Sequence, residues 1–321
     1  MNSKYKYLLV LLALAALFIS GCSEDYTVPE DGTKSETLRN YLVANDMDLP
    51  DMLDGYLLVA DVLHGDESTY YIMDIRSESL YDQGHVPGAV LSSLAGIVTD
   101  AANSAGKPIV VVCKTAQTAG HAVVALRLSG YSDAMVLKFG MSAWHSDFDN
   151  WTSNTSSFAL TDPNWIAPPG NIVASTEYAY PSITASATDG AGILAERVTA
   201  MLAGGFKGII ASDVLTTPSG YFINNYWAAN DVISYGNIIG ARRINPMDLE
   251  TGTLRGNDPG ATVVTYCWTS QTSSIITAYL TVLGYDAMSL KYGANGMIYN
   301  DLTSSKWGAS FDYAYETTPT N

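Results

Sequence analysis

The sequence predicts an α/β fold in which a largely parallel sheet is flanked by helices, and it predicts this fold twice. Two apolar, β-rich runs, residues 70–75 and Ile109–Val112, are bounded by turn-forming residues, as buried parallel strands are. Residues 119–128 then show a helical spacing of apolar side chains, with Gly130 as a stop signal. The segment AMVLKFG that follows predicts another strand. A strand, a loop, a helix and a strand in this order form a βαβ unit, whose strands are parallel.

An internal repeat indicates that the domain occurs twice. The segment LRLSGYSDAMVLKFG at residues 126–140 matches LTVLGYDAMSLKYG at 280–293, apart from one extra residue in the first copy. Upstream, GHVPGA at 84–89 is repeated as GNIIGA at 236–241. A stretch between the copies is rich in Pro, Ser, Thr and Asn, has no sustained period and indicates a linker. We therefore predict domain 1 at residues 37–152, a linker at 153–190, domain 2 at 191–313 and a tail at 314–321.

The N-terminus has the pattern of a lipoprotein signal peptide, which we predict at residues 1–21. It carries Lys4 and Lys6, no acid, an apolar run and small residues before Cys22. The apolar run is too short to favour a membrane-spanning helix. The segment ISGC resembles the bacterial lipobox, which implies an acylated Cys22, and Ser23 after it points to the outer membrane. A plain signal peptide with an incidental cysteine is the alternative.

The composition limits the classes of partner. Removal of the predicted signal peptide takes two lysines and no acid from the chain, so its formal net charge changes from −16 to −18. A surface this acidic repels nucleic acid and anionic lipid, so we expect no nucleic-acid partner. The chain has 321 residues and is 47% hydrophobic, which suffices for two domains with packed cores. Residues 22–36 predict a polar tether to the bacterial cell envelope.

The other two cysteines occupy the same position in the two copies. Cys113 and Cys267 each follow an apolar run, and each is followed after one residue by Thr-x-Gln-Thr. A cysteine between a buried strand and a helix has several backbone N–H groups converging on its sulfur, which predicts a lowered pKa and a nucleophilic thiolate. Two alternatives stay open: small buried hydrophobic residues, or a disulfide between the two cysteines.

Together these residues resemble the tandem form of the rhodanese (sulfurtransferase) family. In the first copy the resemblance rests on Asp74-Ile75-Arg76, on GHVPGA with His85, on the six-residue loop 113–118, and on Lys138-Phe139-Gly140 followed by Trp144. The second copy departs from this pattern, with Asn225, Trp227, Asn237 and Ile239 at the positions of Asp74, Arg76, His85 and Pro87.

The resemblance implies a sulfur carrier with no metal or organic cofactor. A catalytic cysteine, Cys113 or Cys267, would attack the outer sulfur of an anionic donor such as thiosulfate, hold that sulfur as a persulfide, and pass it to a thiol acceptor. A related chalcogen such as selenium would follow the same route. Asp74, Arg76 and His85 would support the loops. The implied substrate-binding loops consist of Lys114, Thr115, Ala116, Gln117 and Thr118 in the first copy, and Trp268, Thr269, Ser270, Gln271 and Thr272 in the second.

Individual loop residues suggest narrower roles. Lys114 is placed to admit an anion to an acidic protein, although it could be a solvated lysine. Thr118 and Thr272 could cap the helices that follow, and the two loop glutamines would serve in loop packing. Ala116 and Ser270 stand where the family often has glycine, and a left-handed turn without glycine costs roughly 1 kcal/mol.

We therefore expect a lipid-anchored tandem sulfurtransferase. Cys113, beside a cation, should have the lower pKa and take sulfur first, whereas Cys267, beside Trp268, would act as an acceptor, a relay or a structural residue. His64, His121 and His145 show no ligand spacing with the cysteines, so we expect no metal site. The competing hypothesis is a pair of non-catalytic domains that serve as docking surfaces in an outer-membrane protein complex.

Overall fold

The computed structural model describes residues 33–318, which belong to one compact unit. The predicted signal peptide, Cys22 and most of the tether lie outside the described residues. Two parallel sheets are present, one formed within residues 57–137 and the other within 208–290. We call the surrounding regions, residues 33–152 and 191–307, the N-terminal half and the C-terminal half. The prediction of an α/β fold with parallel sheets flanked by helices is confirmed.

The N-terminal half contains a five-stranded sheet in the order β1-β5-β4-β2-β3, in which every pairing is parallel. Its central strand β4 consists of four consecutive apolar residues that are all buried, as expected of a strand covered on both faces. The elements in chain order are α1 Lys34–Ala44, α2 Leu49–Leu53, β1 Leu57–Leu58, α3 Ala60–Leu63, β2 Tyr71–Asp74, α4 Glu78–Gln83, β3 Val90–Leu91, α5 Ile97–Asp100, β4 Ile109–Val112, α6 Gln117–Leu128, β5 Met135–Leu137 and α7 Met141–Trp144.

The C-terminal half repeats this arrangement with four parallel strands in the order β7-β11-β10-β8. Before it, the short strand β6 Trp165–Ile166 lies in the predicted linker and pairs antiparallel with β9. The remaining elements are α8 Gly190–Ala203, β7 Gly208–Ile209, α9 Ala211–Thr216, β8 Phe222–Asn225, α10 Ala229–Tyr235, β9 Asn237–Ile238, β10 Val263–Tyr266, α11 Gln271–Val282 and β11 Ala287–Leu290.

The two halves meet along helices α6 and α11, which follow the two cysteine loops. Gly120 of α6 lies directly against Ser274 of α11, and a Cβ at position 120 would overlap the serine hydroxyl. The absence of a side chain therefore allows the helices to approach closely. Helix α1 packs on α8 in a second contact between the halves. None of the helices in residues 33–318 is long and apolar enough to cross a membrane.

One histidine is buried at the contact between the halves without a hydrogen bond. His121, on α6, is 1% exposed, and neither ring nitrogen has a hydrogen-bond partner within residues 33–318. Its ring packs edge-on against Phe206 with a centroid distance of 5.1 Å. Burial lowers the pKa of His121 to about 3, and the charge of Lys207 contributes in the same direction. The native structure therefore holds this imidazole in its neutral form.

The C-terminal segment, residues 308–318, returns to the N-terminal half. The backbone N–H of Tyr313 donates to Trp144 O at 3.0 Å, and the Trp144 indole donates to Ala314 O at 2.9 Å. Glu316 and His85 then exchange two backbone hydrogen bonds of 2.9 and 3.0 Å. The part of the predicted tail that the structure describes, residues 314–318, thus lies along the turn that contains His85.

Candidate active site

The two cysteine loops lie at the carboxyl ends of central strands. Cys113 follows β4 and Cys267 follows β10, and each loop leads directly into a helix. The residue before each helix has a left-handed backbone, with φ of 70° at Ala116 and 63° at Ser270. This is the position where glycine would be favoured, so both loops carry strain that the surrounding packing must offset. The repeated sequence therefore gives a repeated backbone conformation.

The prediction that Thr118 and Thr272 cap these helices is wrong. Each helix already begins at the residue before the threonine, at Gln117 or Gln271, and neither helix has a side-chain cap. The left-handed residue before each helix sets the start of the helix, which places the threonine in its first turn. The Thr272 hydroxyl instead forms a 2.8 Å hydrogen bond with the hydroxyl of Tyr56.

A cavity of about 330 Å³ opens beside Cys113. We call it the Cys113 cavity; the side chains that line it include Arg76, Cys113, Lys114, Thr115, Thr118, Asn150 and Tyr292. Cys113 itself is 5% exposed. The cavity therefore brings together one predicted cysteine, three predicted loop residues and one predicted support. Tyr292, from the C-terminal half, is a lining residue that the sequence patterns did not reveal.

The prediction of a lowered pKa for Cys113 is wrong. Burial raises the pKa of this thiol above its usual value, because the thiolate loses solvation, and the Asp74 carboxylate raises it further. Backbone N–H groups of Ala119, Thr115 and Ala116 act in the opposite direction without reversing the shift. The loop thus supplies the amides expected from its sequence, and the depth at which the packing places the sulfur outweighs them.

Asp74 and Arg76 form a buried ion pair at the end of β2. The two side chains are 0% and 2% exposed, and Arg76 Nη2 lies 2.6 Å from Asp74 Oδ2. The same Nη2 donates to the carbonyl oxygen of Gly84 at 2.6 Å. The pair therefore fixes the strand end to the GHVPGA segment, which fits the predicted supporting role.

His85 is fixed by contacts on two sides. Its ring stacks on Tyr81 at 3.8 Å between centroids, and Nδ1 lies 2.8 Å from the carbonyl oxygen of the same tyrosine. Its Nε2 lies 3.9 Å from a carboxylate oxygen of Glu316. None of these contacts involves Cys113, so the geometry is that of a support for the turn.

Lys114 is the exposed cation at the Cys113 cavity. No carboxylate within residues 33–318 forms an ion pair with it, whereas the charge of Arg76 is matched by Asp74. The side chains that line the cavity in the described part of the chain include no Asp or Glu. The cavity therefore has a local positive charge in a strongly acidic protein, which favours an anion.

The loop glutamines connect the halves through reciprocal hydrogen bonds. Gln117 Oε1 accepts from the backbone N–H of Tyr292 at 3.2 Å, and Gln271 Oε1 accepts from the backbone N–H of Phe139 at 3.0 Å. Each glutamine thus binds the turn after the last strand of the other half. The sequence contained a signal for this role, since glutamine occurs at the same place in both loops.

The surroundings of Cys267 differ from those of Cys113. Cys267 is 2% exposed, and its sulfur accepts from the backbone N–H of Ser273 at 3.4 Å. The hydroxyls of Ser270 and Ser273 each lie 2.7 Å from that of Ser289. At the equivalent loop positions the first copy has the buried alanines 116 and 119. The second thiol therefore lies beside a chain of hydroxyl groups.

Two indoles stand where the first half has cations. Trp227 and Trp268 occupy the repeat positions of Arg76 and Lys114, and they stack on each other at 4.3 Å between centroids with an interplanar angle of 11°. Tyr235 packs edge-on against Trp268 at 5.2 Å. The two replacements are therefore a packed pair, and neither carries the positive charge of the residue whose repeat position it occupies.

The hypothesis of a disulfide between the copies is wrong for this structure. Cys113 and Cys267 are both free and buried. Each sulfur instead faces backbone N–H groups of its own half, those of Ala119, Thr115 and Ala116 for Cys113 and that of Ser273 for Cys267. Across residues 33–318, no cluster of three or more His, Cys, Asp or Glu side chains could hold a metal ion.

Residues 59–147 match the family model described as a rhodanese-like domain. No curated protein matches the chain. A Rhodanese_3-like domain from Anabaena is 31% identical over 23% of this chain and 88% of that chain, with a TM-score of 0.22. A rhodanese-related protein from Thermoplasma volcanium is 17% identical over 27% of this chain and 87% of that chain, with a TM-score of 0.25. A thiosulfate sulfurtransferase from Pseudomonas aeruginosa is 14% identical over 90% of this chain and 50% of that chain, with a TM-score of 0.30.

Such low TM-scores do not establish a common fold over the whole chain, and the chain spans half the length of the Pseudomonas enzyme. The family match is more specific, because it covers β2, β4, the Cys113 loop and α6 in one continuous segment. The chain therefore contains a rhodanese-like domain at residues 59–147, and this domain carries Cys113.

Proposed function

We propose that the protein is a sulfurtransferase that carries sulfane sulfur on Cys113. The observation that carries the proposal is the Cys113 cavity, in which a cysteine at a strand end meets an unpaired lysine inside a rhodanese-like domain. A larger cavity of about 600 Å³ lies at the amino end of β8, at the opposite end of the strands from the cysteine loops. It contains no cysteine, so it does not compete as the site of this chemistry.

The proposed reaction has two displacement steps. The Cys113 thiolate attacks the outer sulfur of thiosulfate, the sulfur–sulfur bond of the donor breaks, and sulfite leaves with the electron pair. An acceptor thiolate, or cyanide in an assay, then attacks the outer sulfur of the Cys113 persulfide and releases the thiolate. The loop N–H groups that face the sulfur of Cys113 stabilise negative charge in both steps.

The direct test is transfer of sulfur from thiosulfate to cyanide by the purified chain lacking residues 1–21. After incubation with thiosulfate alone, mass spectrometry should find one added sulfur atom on the peptide that contains Cys113. Absence of both turnover and the added sulfur, in protein with a free Cys113 thiol, would favour the non-catalytic docking role.

Lys114→Met is expected to raise the KM for thiosulfate about fivefold with little change in kcat. An exposed charge felt equally by the bound donor and the transition state changes binding mainly, and such a contact contributes about 1 kcal/mol in water. The difference from wild type should shrink as salt is added. Lys107→Met is the matched control, because Lys107 is exposed and precedes the amino end of β4. Equal KM values in both variants and wild type at low salt would remove Lys114 from the site.

We also propose that the protein is a lipoprotein of the bacterial cell envelope, anchored through Cys22 and facing the periplasm from the outer membrane. The support is the sequence pattern described above, with an apolar run that ends at ISGC. Intact-mass analysis of the protein from the membrane fraction should show an acylated Cys22 at its N-terminus. Cys22→Ala should release the protein from the membrane or leave it unprocessed, and an unmodified N-terminus in wild type would exclude the anchor.

A further inference from the structure

A tyrosine of the C-terminal half lies at the Cys113 cavity. Tyr292 is in the turn after β11, and its side chain lines this cavity together with Cys113 and Lys114. Its backbone N–H donates to Gln117 Oε1 at 3.2 Å, within the Cys113 loop. The cavity is therefore completed by a residue from outside the rhodanese-like segment, and one hydrogen bond links that residue to the loop of the thiol.

The position of Tyr292 is fixed by packing and by its backbone. Its φ of 62° lies in the left-handed region, which a residue with a side chain seldom adopts. The ring packs edge-on against Trp151 with a centroid distance of 5.1 Å. Strained backbone conformations of this kind persist where several contacts with the surrounding structure hold them in place. The tyrosine is therefore held at the cavity and does not simply lie along its rim.

The phenol hydroxyl of Tyr292 has its hydrogen-bonding capacity unused. No group within residues 33–318 forms a hydrogen bond with this hydroxyl, although the side chain is partly buried. Burial raises the pKa of Tyr292, and the nearby sulfur of Cys113 raises it further. At neutral pH the group is therefore a protonated hydroxyl that can donate a hydrogen bond to a ligand in the cavity.

The equivalent turn of the N-terminal half lacks this hydroxyl. Phe139 occupies the same repeat position with a φ of 64°, and its N–H donates to Gln271 in the other cysteine loop. The backbone arrangement is thus duplicated and the donor group is not. The hydroxyl is present only in the turn that faces the Cys113 loop, which is also the loop that has the lysine.

We propose that the Tyr292 hydroxyl is a catalytic residue that donates a hydrogen bond to the oxygen-bearing part of an anionic sulfur donor while Cys113 attacks the outer sulfur. The inference rests on the sulfurtransferase function proposed above and specifies its substrate class. That class consists of donors whose leaving group carries anionic oxygens, such as the sulfite part of thiosulfate. As the sulfur–sulfur bond breaks, the leaving sulfite takes the electron pair, and the hydroxyl stabilises its charge without transferring a proton.

Tyr292→Phe tests the hydroxyl, because it removes one oxygen atom and keeps the ring against Trp151. In the protein that comprises residues 22–321, kcat/KM for thiosulfate should fall about tenfold, since a hydrogen bond to a charged group is lost. Tyr221→Phe is the matched control, since Tyr221 lines the larger cavity at the amino end of β8. It should leave kcat/KM unchanged, and both variants should keep the wild-type thermal unfolding midpoint.

A reagent without anionic oxygens separates binding of the donor from reactivity of the thiol. In the Cys267→Ser background, dipyridyl disulfide should modify Cys113 at the same rate whether or not the chain also carries Tyr292→Phe. An equal fall with thiosulfate and with this reagent would mean that Tyr292 acts on the thiol, and the proposal would be wrong. It would also be wrong if Tyr292→Phe left kcat/KM for thiosulfate unchanged.

Binding distinguishes a failure of this inference from a failure of the proposed function. Calorimetric titration of thiosulfate into Cys113→Ser requires no turnover, and adding Tyr292→Phe should weaken the binding about tenfold. If wild type transfers no sulfur but this weakening is observed, the sulfurtransferase proposal fails and the hydroxyl contact holds. If the two dissociation constants agree, or no binding is detected in either variant, the contact is refuted.

Discussion

Cys113→Ser is expected to lower sulfur transfer from thiosulfate to cyanide by a factor on the order of 10³ or more, because the nucleophile that forms the persulfide is removed. Cys267→Ser is the matched variant and should retain most of the activity. The Cys267 loop has Trp268, stacked on Trp227, at the position where the Cys113 loop has Lys114, and this lysine lines the Cys113 cavity. Steady-state rates of both variants, with mass analysis of each cysteine peptide, check the assignment.

The pH profile gives a second measurement on the same variants. Burial raises the pKa of Cys113 above the usual 9.0, so the thiolate fraction at neutral pH is small and grows as the pH rises. The rate of transfer by Cys267→Ser, and its alkylation rate, should therefore still be rising at pH 9. If Cys113→Ser keeps full transfer while Cys267→Ser loses it, the roles of the two cysteines are the reverse of those proposed.

Acid should destabilise the protein through His121. The folded pKa of this residue is about 3 and the usual value is 6.5, so the unfolded chain binds more protons between these values. Its contribution to the free energy of unfolding is complete above pH 6.5 and declines as the pH falls toward 3. One proton changes the free energy by up to about 1.4 kcal/mol per pH unit, so a loss of several kcal/mol is expected by pH 4.

His121→Ile removes this pH dependence. Isoleucine is chosen because the second copy has Ile275 at the same repeat position. Urea unfolding between pH 7.5 and 4 should show a flatter decline in the free energy of unfolding for this variant than for wild type. His64→Gln, at a partly exposed histidine, should leave the wild-type slope in place because His121 remains. The same slope in His121→Ile and wild type would show that acid acts elsewhere.

The local elements of the fold could be predicted because the short-range pattern determines them. The run Ile109–Val112 is a strand, and the apolar spacing after it gives helix α6. The left-handed residues at Ala116 and Ser270 follow from the tight link between strand and helix. These features depend on neighbours within a few residues, which is the information that a single sequence provides.

The contacts between distant segments could not be predicted in this way. Tyr292 reaches the Cys113 cavity from the other half of the chain, and the two halves meet where α6 and α11 pack together with Gly120 against Ser274. The pKa of Cys113 was predicted in the wrong direction for a related reason. The loop sequence specifies the N–H groups near the sulfur, but the depth of its burial is set by the whole core.

The return of the C-terminal segment to the N-terminal half affects the order in which the protein folds during its synthesis. Domains generally fold in the order in which they leave the ribosome. Here the Trp144 indole donates to the carbonyl oxygen of Ala314, and His85 shares backbone hydrogen bonds with Glu316; both partners emerge only after the whole C-terminal half. A nascent N-terminal half can form its parallel sheet, but the C-terminal segment that covers the Trp144 indole is added last. The order of translation thus delays closure of the N-terminal half until the C-terminal half has been made.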